Sequence, residues 1–401
     1  MADTCLPDFV SVAESGTHFE VNGAPFFFAG CNSYMLMTRA ADPNLRHEVT
    51  EVLDAARKAD LAVVRTWAFC DGPEWNALQP EAGVFDERVF AALDWVIAQA
   101  KMRGLRLCMP LVNYWPAYGG IPQYMRWSCQ RQGAEESGSP EEFYQDRCCQ
   151  DIFQNFLATI TSRVNTITGI AYRDEPAIMA WELMNEPRCS GDFSGSKLQH
   201  WIDRTAEFLK SVDPNHMVTV GTEGFFGSST PEFLPDNPYD TLSEGCDFAR
   251  NHMPDNIDYA TIHLWPDTWL SGGQCSEEAA LRFARRWINA HVDCCTRLGK
   301  PLVLTEFGKK PAGPPRATFY QKVYDTAFGN ALCGRPLGGI LQWMVASGTY
   351  PDYDEFTCRI PGTEDPCGCP GADKAAVHTM LRFAQRFAAL NRDRIIPVAS
   401  L

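Results

Sequence analysis

The 401-residue sequence lacks several features that would assign it to common classes of protein. It has no run of about 18 apolar residues, so we expect no membrane-spanning helix. No segment recurs with the period of a solenoid, which argues against a repeat architecture. Basic residues are scarce, since 35 Lys and Arg oppose 50 Asp and Glu. The resulting net charge of −15 makes a nucleic-acid backbone an unfavourable partner.

The N-terminus also lacks a recognisable export signal. Residues 1–16, MADTCLPDFVSVAESG, contain neither the basic region nor the apolar region of a secretory signal peptide. We therefore interpret Met1 as a start placed before a mature chain.

Cysteine, in contrast, is abundant. Sixteen cysteines, an even number, predict disulfides and a secreted protein, with metal binding and free core thiols as alternatives. Adjacent cysteines at 148–149 and 294–295, and the CGC at 367–369, do not match the spacing of zinc ligands. Cys31 and Cys108 lie in apolar, strand-like runs and are predicted to be core residues.

Short apolar runs alternate with longer amphipathic stretches along the whole chain. Near-continuous hydrophobicity is typical of strands that are buried on both faces. The runs are 25–34, 61–69, 105–113, 177–186, 216–224, 258–265, 301–308 and 338–345. Helical spacing is clearest in 86–104, 196–213 and 277–299. Eight strand–helix units predict a (β/α)₈ barrel of the TIM type, and we assign residues 1–401 to one such domain.

Two stretches that follow predicted strands look like unusually long loops. One spans 115–140 and the other spans 346–373, which is rich in Pro, Gly and Cys. Because loops after barrel strands lie on the C-terminal face, we expect both to shape a binding cleft there.

Two glutamates stand at the ends of predicted strands. Glu186 ends the fourth run, in WELMNEPRC at 181–189, and Glu306 ends the seventh, in LTEFG at 304–308. Two carboxylates that face one cleft are the minimum equipment for cleaving a glycosidic bond, one as proton donor and one as nucleophile. Either glutamate alone could instead cap a helix or pair with an arginine.

Other polar residues occupy equivalent strand ends. Arg65 ends the second run, where it could hold Glu306 ionised or pair with the buried Glu182. Asn113, Asn185 and His263 end the third, fourth and sixth runs. An amide beside an acid suits a sugar hydroxyl, whereas His263 could also be a structural core histidine.

Tryptophans cluster at the same predicted face. Trp67, Trp115, Trp265, Trp269 and Trp343 all lie at or just beyond strand ends. Pyranose rings stack their C–H faces on aromatic rings, so this clustering favours a sugar site, although any single tryptophan is more often part of a core.

These motifs resemble endo-β-1,4-mannanases of glycoside hydrolase family 5, in the subgroup that includes plant and fungal enzymes. The likeness covers nearly the whole chain, and the pairing of WELMNEPRC with LTEFGK is specific. The segments that carry it are 19–37, 63–72, 78–90, 163–189, 258–270, 300–309 and 341–345.

The resemblance implies roles for the residues that match the family's motifs. Glu186 matches the acid/base and Glu306 the nucleophile, while Asn185 matches the residue that holds the substrate's 2-hydroxyl. Arg65 and His263 match active-site positions around the two carboxylates. Trp343 matches the platform beneath the sugar that is cleaved. Arg188 matches an arginine that contacts sugar on the leaving-group side.

The sequence departs from the family where a tyrosine is usual. Trp265 occupies the position whose tyrosine hydroxyl normally donates a hydrogen bond to the nucleophile, and an indole N–H could donate there instead. Tyr114 stands where plant members tend to have a second asparagine, and the segment after the last strand carries extra cysteines.

The sequence therefore predicts a secreted, monomeric endo-mannanase that retains anomeric configuration and needs no cofactor or metal. Its expected partner is a β-mannan polysaccharide, with neither nucleic acid nor membrane. A related β-1,4-glucanase and a non-hydrolytic binding barrel are the alternatives. A metal-dependent hydrolase would need converging His and Asp ligands, but His263 is the only histidine at the C-terminal end of a predicted strand.

Overall fold

The structure, a computed structural model, describes residues 8–133, 138–270, 276–310, 312–363 and 373–393. It opens with a small antiparallel sheet of β1 (Ser11–Val12), β2 (Phe19–Val21) and β3 (Ala24–Phe26). The chain then enters the barrel directly from β3, so this sheet lies at the N-terminal end of the barrel. There Phe19 packs against Phe28 and Tyr259 at ring-centroid distances of 5.8 and 5.3 Å, which covers the bottom of the barrel.

Eight parallel strands form the barrel, as the alternating apolar runs predicted. They pair in the order β8-β7-β6-β5-β4-β11-β10-β9. The Asp258 N–H donates to Val218 O at 2.8 Å, which links the two end strands. The strands are β4 (Phe28–Asn32), β5 (Val63–Arg65), β6 (Arg106–Pro110), β7 (Ile178–Glu182), β8 (Met217–Thr219), β9 (Ala260–Leu264), β10 (Leu302–Phe307) and β11 (Leu337–Gln342).

Helices surround the barrel, and the three strongest helical predictions are confirmed. They are α1 (Leu36–Ala40), α2 (Arg46–Lys58), α3 (Glu87–Met102), α4 (Gly120–Gln132), α5 (Arg147–Ser162), α6 (Ser196–Val212), α7 (Phe248–His252), α8 (Pro266–Trp269), α9 (Glu277–Leu298), α10 (Pro314–Leu332) and α11 (Lys374–Asp393). Short 3₁₀ helices span Pro140–Tyr144, Tyr172–Asp174, Pro231–Asp236 and Leu242–Glu244. Among the described helices, none is both long and apolar enough to cross a membrane.

The prediction of one long loop over 115–140 is wrong. Helix α4 occupies much of that stretch, with Ile121, Tyr124 and Met125 buried at helical spacing. It ends at Gly133, whose φ of 67° is the left-handed conformation of a helix C-cap. The second predicted loop remains irregular over 346–363, and its remainder through 372 lies outside the described residues.

The barrel interior changes in character from bottom to top. Its lower layer is apolar and includes Phe28, Val63, Met217 and Leu341. Towards the C-terminal ends of the strands the inward side chains become polar, and Arg65 is fully buried among them. Since buried charges need partners, this polar upper layer marks the face on which a site is expected.

Candidate active site

Glu186 and Glu306 meet across the C-terminal mouth of the barrel. One oxygen of each carboxylate and a ring nitrogen of His263 lie within 4.8 Å of one another. Both carboxylates line a cleft of about 610 Å³. They are therefore close to each other and open to a ligand.

The two glutamates reach the cleft by different backbones. Glu306 belongs to strand β10, whereas Glu186 lies beyond the end of β7 with a left-handed φ of 51°. The Glu186 N–H donates to Gly221 O at 2.9 Å, which fixes this turn against the loop after β8. A Cβ at Gly221 would collide with Met184 O, so only glycine permits the two segments to approach so closely.

Arg65 holds Glu306 and Glu182 together beneath the cleft. Its Nη1 donates to Glu306 Oε1 at 2.5 Å, and its Nε and Nη2 donate to the two Glu182 oxygens at 3.0 and 2.5 Å. Both pairings considered from the sequence therefore occur. Burial alone would lower the pKa of Arg65, but the charges of Glu182 and Glu306 raise it above its ordinary value, so the guanidinium stays charged.

His263 bridges the two candidate catalytic carboxylates. Its Nδ1 lies 2.7 Å from Glu186 Oε1 and 3.4 Å from Glu306 Oε2. Burial alone would lower the pKa of His263, yet the charges of Glu306 and Glu186 raise it above its ordinary value. The imidazole thus favours its protonated form and links the two acids through one ring nitrogen.

The pKa values of the two carboxylates shift in opposite directions. Burial raises the pKa of Glu306 to about 7, against the opposing charges of His263 and Arg65. Burial acts on Glu186 in the same sense, but the hydrogen bonds from His263 and from Trp115 Nε1, at 2.6 Å, bring its pKa below the ordinary value. The charge of each group therefore depends on the charges of its neighbours.

Asn113 and Asn185 continue this network on the Glu186 side. Asn185 Nδ2 donates to Asn113 Oδ1 at 3.0 Å, while Asn185 Oδ1 accepts from Arg65 Nη2 at 2.7 Å. Both amides line the cleft, as the sequence predicted. Their orientation is fixed before any ligand binds, which favours recognition of a defined hydroxyl.

Aromatic rings form the walls of the cleft. Trp67, Trp115, Trp265, Trp269 and Trp343 all line it, as the sequence predicted, although Trp67 and Trp269 are largely buried. Trp343 stacks nearly parallel to Tyr34 at 5.4 Å, and its Nε1 donates to Asp354 Oδ2 at 3.0 Å. The platform is thus supported from one face and held at its polar edge.

Two predicted contact residues do not reach the cleft surface. Arg65 and His263 are completely buried behind the carboxylates, so they position these acids rather than touch a sugar. Trp265 also differs from the expectation. Among the described residues it makes no hydrogen bond to Glu306, and instead its ring packs edge-on against Trp343 at 6.2 Å and Phe356 at 4.9 Å.

Glu223, a buried acid in the cleft wall, was not predicted from the sequence. It accepts two hydrogen bonds from Arg188, at 2.6 and 2.8 Å, and burial together with the charge of Glu186 raises its pKa to about 7. The signal was available, since Glu223 follows β8 in TEG at 222–224. The cleft-lining residues Tyr239, Asp354 and Phe356 come from loops and gave no comparable signal.

A (β/α)₈ barrel whose mouth sets two glutamates in one aromatic cleft defines a glycoside hydrolase. The model of the glycoside hydrolase family 5 β-mannosidase-like family matches residues 7–352. The chain belongs to this family.

Known relatives agree with this assignment. Mannan endo-1,4-β-mannosidase 1 of Solanum lycopersicum is 43% identical over 375 residues, which cover 93% of this chain and 92% of that one. Mannan endo-1,4-β-mannosidase 2 of Arabidopsis thaliana is 44% identical over 361 residues, covering 88% of this chain and 82% of that one. The endo-β-1,4-mannanase structure from Thermotoga petrophila superimposes with a TM-score of 0.78 at 30% identity, covering 94% and 79% of the two chains.

Proposed function

We propose that this protein is an endo-acting β-1,4-mannanase that hydrolyses internal bonds of mannan, galactomannan or glucomannan. The observation that carries the proposal is the approach of Glu186 and Glu306 within one open cleft. The names of its relatives support mannan as the polymer. An open cleft can bind a polysaccharide chain at one of its internal bonds, which fits endo action.

The separation of the carboxylates favours retention of anomeric configuration. Retaining glycosidases hold their two carboxyl groups about 5–5.5 Å apart, and inverting ones about 6.5–9.5 Å apart. Here one oxygen of each carboxylate lies within 4.8 Å of the other, closer than the spacing of inverting enzymes. Glu306 therefore attacks the anomeric carbon itself while the bond to the leaving oxygen breaks.

Glu186 supplies and recovers the proton. In the first step it donates a proton to the departing oxygen, as Glu306 forms a covalent bond to the sugar. In the second step Glu186 removes a proton from water, whose oxygen attacks the anomeric carbon and releases Glu306. His263 Nδ1, 2.7 Å from Glu186, holds this carboxyl group in place.

The surrounding residues divide into positioning and sugar-contacting groups. Arg65 keeps Glu306 directed at the cleft and stabilises its ionised form through the 2.5 Å ion pair. Asn185 is the partner for the 2-hydroxyl, and Trp343 stacks beneath the sugar that is cleaved. Arg188 and Trp115, next to Glu186, contact the sugar on the leaving-group side.

Substrate comparison tests this function. Purified enzyme should release reducing sugar from galactomannan and glucomannan, with little release from carboxymethylcellulose. A preference for carboxymethylcellulose would make the protein a glucanase. No release from any β-glycan, by a protein with an intact thermal unfolding transition, would support a non-hydrolytic binding barrel. The Glu186→Gln/Glu306→Gln double variant controls for contaminating activity.

We also propose that the enzyme is secreted, since a mannan polymer cannot cross a membrane to reach it. Disulfides remain a prediction. In the structure, free thiols are found at Cys31, Cys70, Cys108, Cys189, Cys246 and Cys358. The predicted core positions of Cys31 and Cys108 are confirmed, while Cys5, Cys275, Cys367 and Cys369 lie outside the described residues. Thiol titration of the denatured, unreduced protein counts the free thiols, and the shortfall from sixteen gives the number of paired cysteines.

The proposed working unit is one monomeric (β/α)₈ domain over residues 1–401. Light scattering of the purified protein measures its mass directly, and a mass near 44.8 kDa is expected. A multiple of this mass would replace the monomer with an oligomer.

A further inference from the structure

A second arginine–aromatic cluster follows β4, which β5 and β6 separate from the strand before Glu186, β7. Arg39, in α1 after the first barrel strand, donates from Nε and Nη2 to the two oxygens of Glu48, at 2.6 and 3.1 Å. Its guanidinium lies 5.0 Å from the ring centre of Tyr350 and 5.9 Å from that of Trp75. The arginine is therefore fixed by a buried carboxylate and flanked by two rings.

This cluster matches the construction of the leaving-group side. There Arg188 is held through two hydrogen bonds by the buried Glu223, and its guanidinium lies 5.2 Å from the ring centres of both Trp115 and Phe225. In each case one flanking ring remains exposed, since Trp115 is 38% accessible and Trp75 is 52% accessible. The two sides of the mouth thus carry the same combination of groups.

Direct contacts join the Arg39 cluster to the sugar platform. Tyr34 stacks against Trp343, and its hydroxyl lies 2.8 Å from that of Tyr350. The Tyr350 ring in turn meets Tyr353 edge-on at 5.6 Å, and Tyr353 is 75% exposed. A chain of aromatic contacts therefore links Trp343 to the exposed ring of Tyr353.

Polar groups accompany these rings. Among the described residues, Nη1 of Arg39 has no hydrogen-bond partner, so it can donate to a hydroxyl. Asn76 Nδ2 donates to Thr38 O at 2.9 Å, which anchors the Trp75 loop to α1. An exposed flat ring beside a fixed donor suits a pyranose, whose faces are apolar and whose edges carry hydroxyls.

We propose that Trp75, Arg39 and Tyr353 form a distal sugar-binding site for a β-1,4-linked hexose chain, on the side that remains attached to the enzyme during the covalent step. The inference rests on the proposed function and deepens it. The site binds units remote from the cleaved bond, so it selects longer chains and sets the register in which they are cut. Its binding energy contributes to catalysis only when the chain is long enough to reach it.

Oligosaccharides of defined length test the proposal. We expect Trp75→Ala and Tyr353→Ala each to lower kcat/KM for mannohexaose by about three- to tenfold, the loss of one aromatic stacking contact. Neither should change kcat/KM for mannotriose. Trp75→Phe keeps a flat ring and should recover most of the activity on mannohexaose, whereas Phe193→Ala removes an exposed ring elsewhere and should have no effect.

The position of the cleaved bond tests the site independently of the rates. With ¹⁸O at the reducing end of mannopentaose, mass spectrometry distinguishes which bond is cut, and the Ala variants should shift cleavage towards the non-reducing end. Unchanged rates and unchanged register in both Ala variants would overturn the proposed site, since the exposed Tyr353 can be replaced without disturbing the fold. Failure of the wild-type enzyme to cleave any of these oligosaccharides would overturn the proposed function instead.

Discussion

Glu186 and Glu306 face the same cleft but are held in different ways. Glu306 sits on a regular strand, is fixed by the buried Arg65 at 2.5 Å, and its side chain is 5% exposed. Glu186 lies in a left-handed turn beyond its strand, accepts hydrogen bonds from His263 and Trp115, and its side chain is 14% exposed. A nucleophile needs a rigid position, whereas an acid/base needs access for water.

The strongest test of this contrast removes the strand-borne carboxylate. Glu306→Ala should lower kcat on mannan by roughly 10⁴-fold or more, because the covalent route is lost. Added azide should restore turnover and yield a glycosyl azide of inverted configuration, detectable by NMR. Near-normal activity in this variant would show that Glu306 is not the nucleophile.

Removing the turn-borne carboxylate should have a smaller effect that depends on the substrate. Glu186→Ala should lower kcat by about 10²–10⁴-fold on mannan, the range for general acid–base catalysis. The loss in the first step should shrink on an aryl mannoside with a very acidic leaving group, which departs without a proton. An equal loss of that step across leaving groups of different acidity would contradict the acid role.

The smallest expected effect concerns a hydrogen bond found on Glu186 alone. Trp115→Phe removes the indole N–H that stabilises the ionised carboxylate, so the pKa of Glu186 should rise. Because the first step needs Glu186 protonated, the basic limb of the kcat/KM profile should move to higher pH. We expect kcat to fall by about three- to tenfold, equivalent to the net contribution of one ordinary hydrogen bond.

A matched variant separates this effect from a general loss of aromatic surface. Trp265→Phe also removes an indole N–H from the cleft wall, but Trp265 makes ring contacts and no described hydrogen bond to either glutamate. Its pH profile should therefore resemble that of the wild type. A shifted acidic limb in Trp265→Phe would show that the indole does act on Glu306.

The barrel and its two acids could be predicted because they depend on local pattern. Continuous apolar runs identify strands buried on both faces, and the residues that end such strands in a barrel share one rim. Glu186, Glu306 and Arg65 were found in this way, and the sequence even indicated both carboxylate partners of Arg65. The resemblance to family 5 mannanases then assigned the separate roles.

Contacts between distant segments could not be predicted in the same way. Asp354 receives the hydrogen bond of the Trp343 indole from an irregular loop, and Tyr350 meets Tyr34 from 316 positions away in the chain. The sequence also gave no indication that Trp265 packs against Phe356 rather than approaching Glu306. These arrangements depend on loop geometry, which no periodicity specifies.

Covalent trapping tests the division of labour between the two acids most directly. A mannoside with fluorine at position 2 and a reactive leaving group should glycosylate the enzyme as the leaving group departs, but release the sugar slowly, and peptide mapping by mass spectrometry locates the label. We expect one label, on the peptide that contains Glu306. A label on Glu186, or a first hydrolysis product of opposite anomeric configuration to the substrate, would contradict this division of labour.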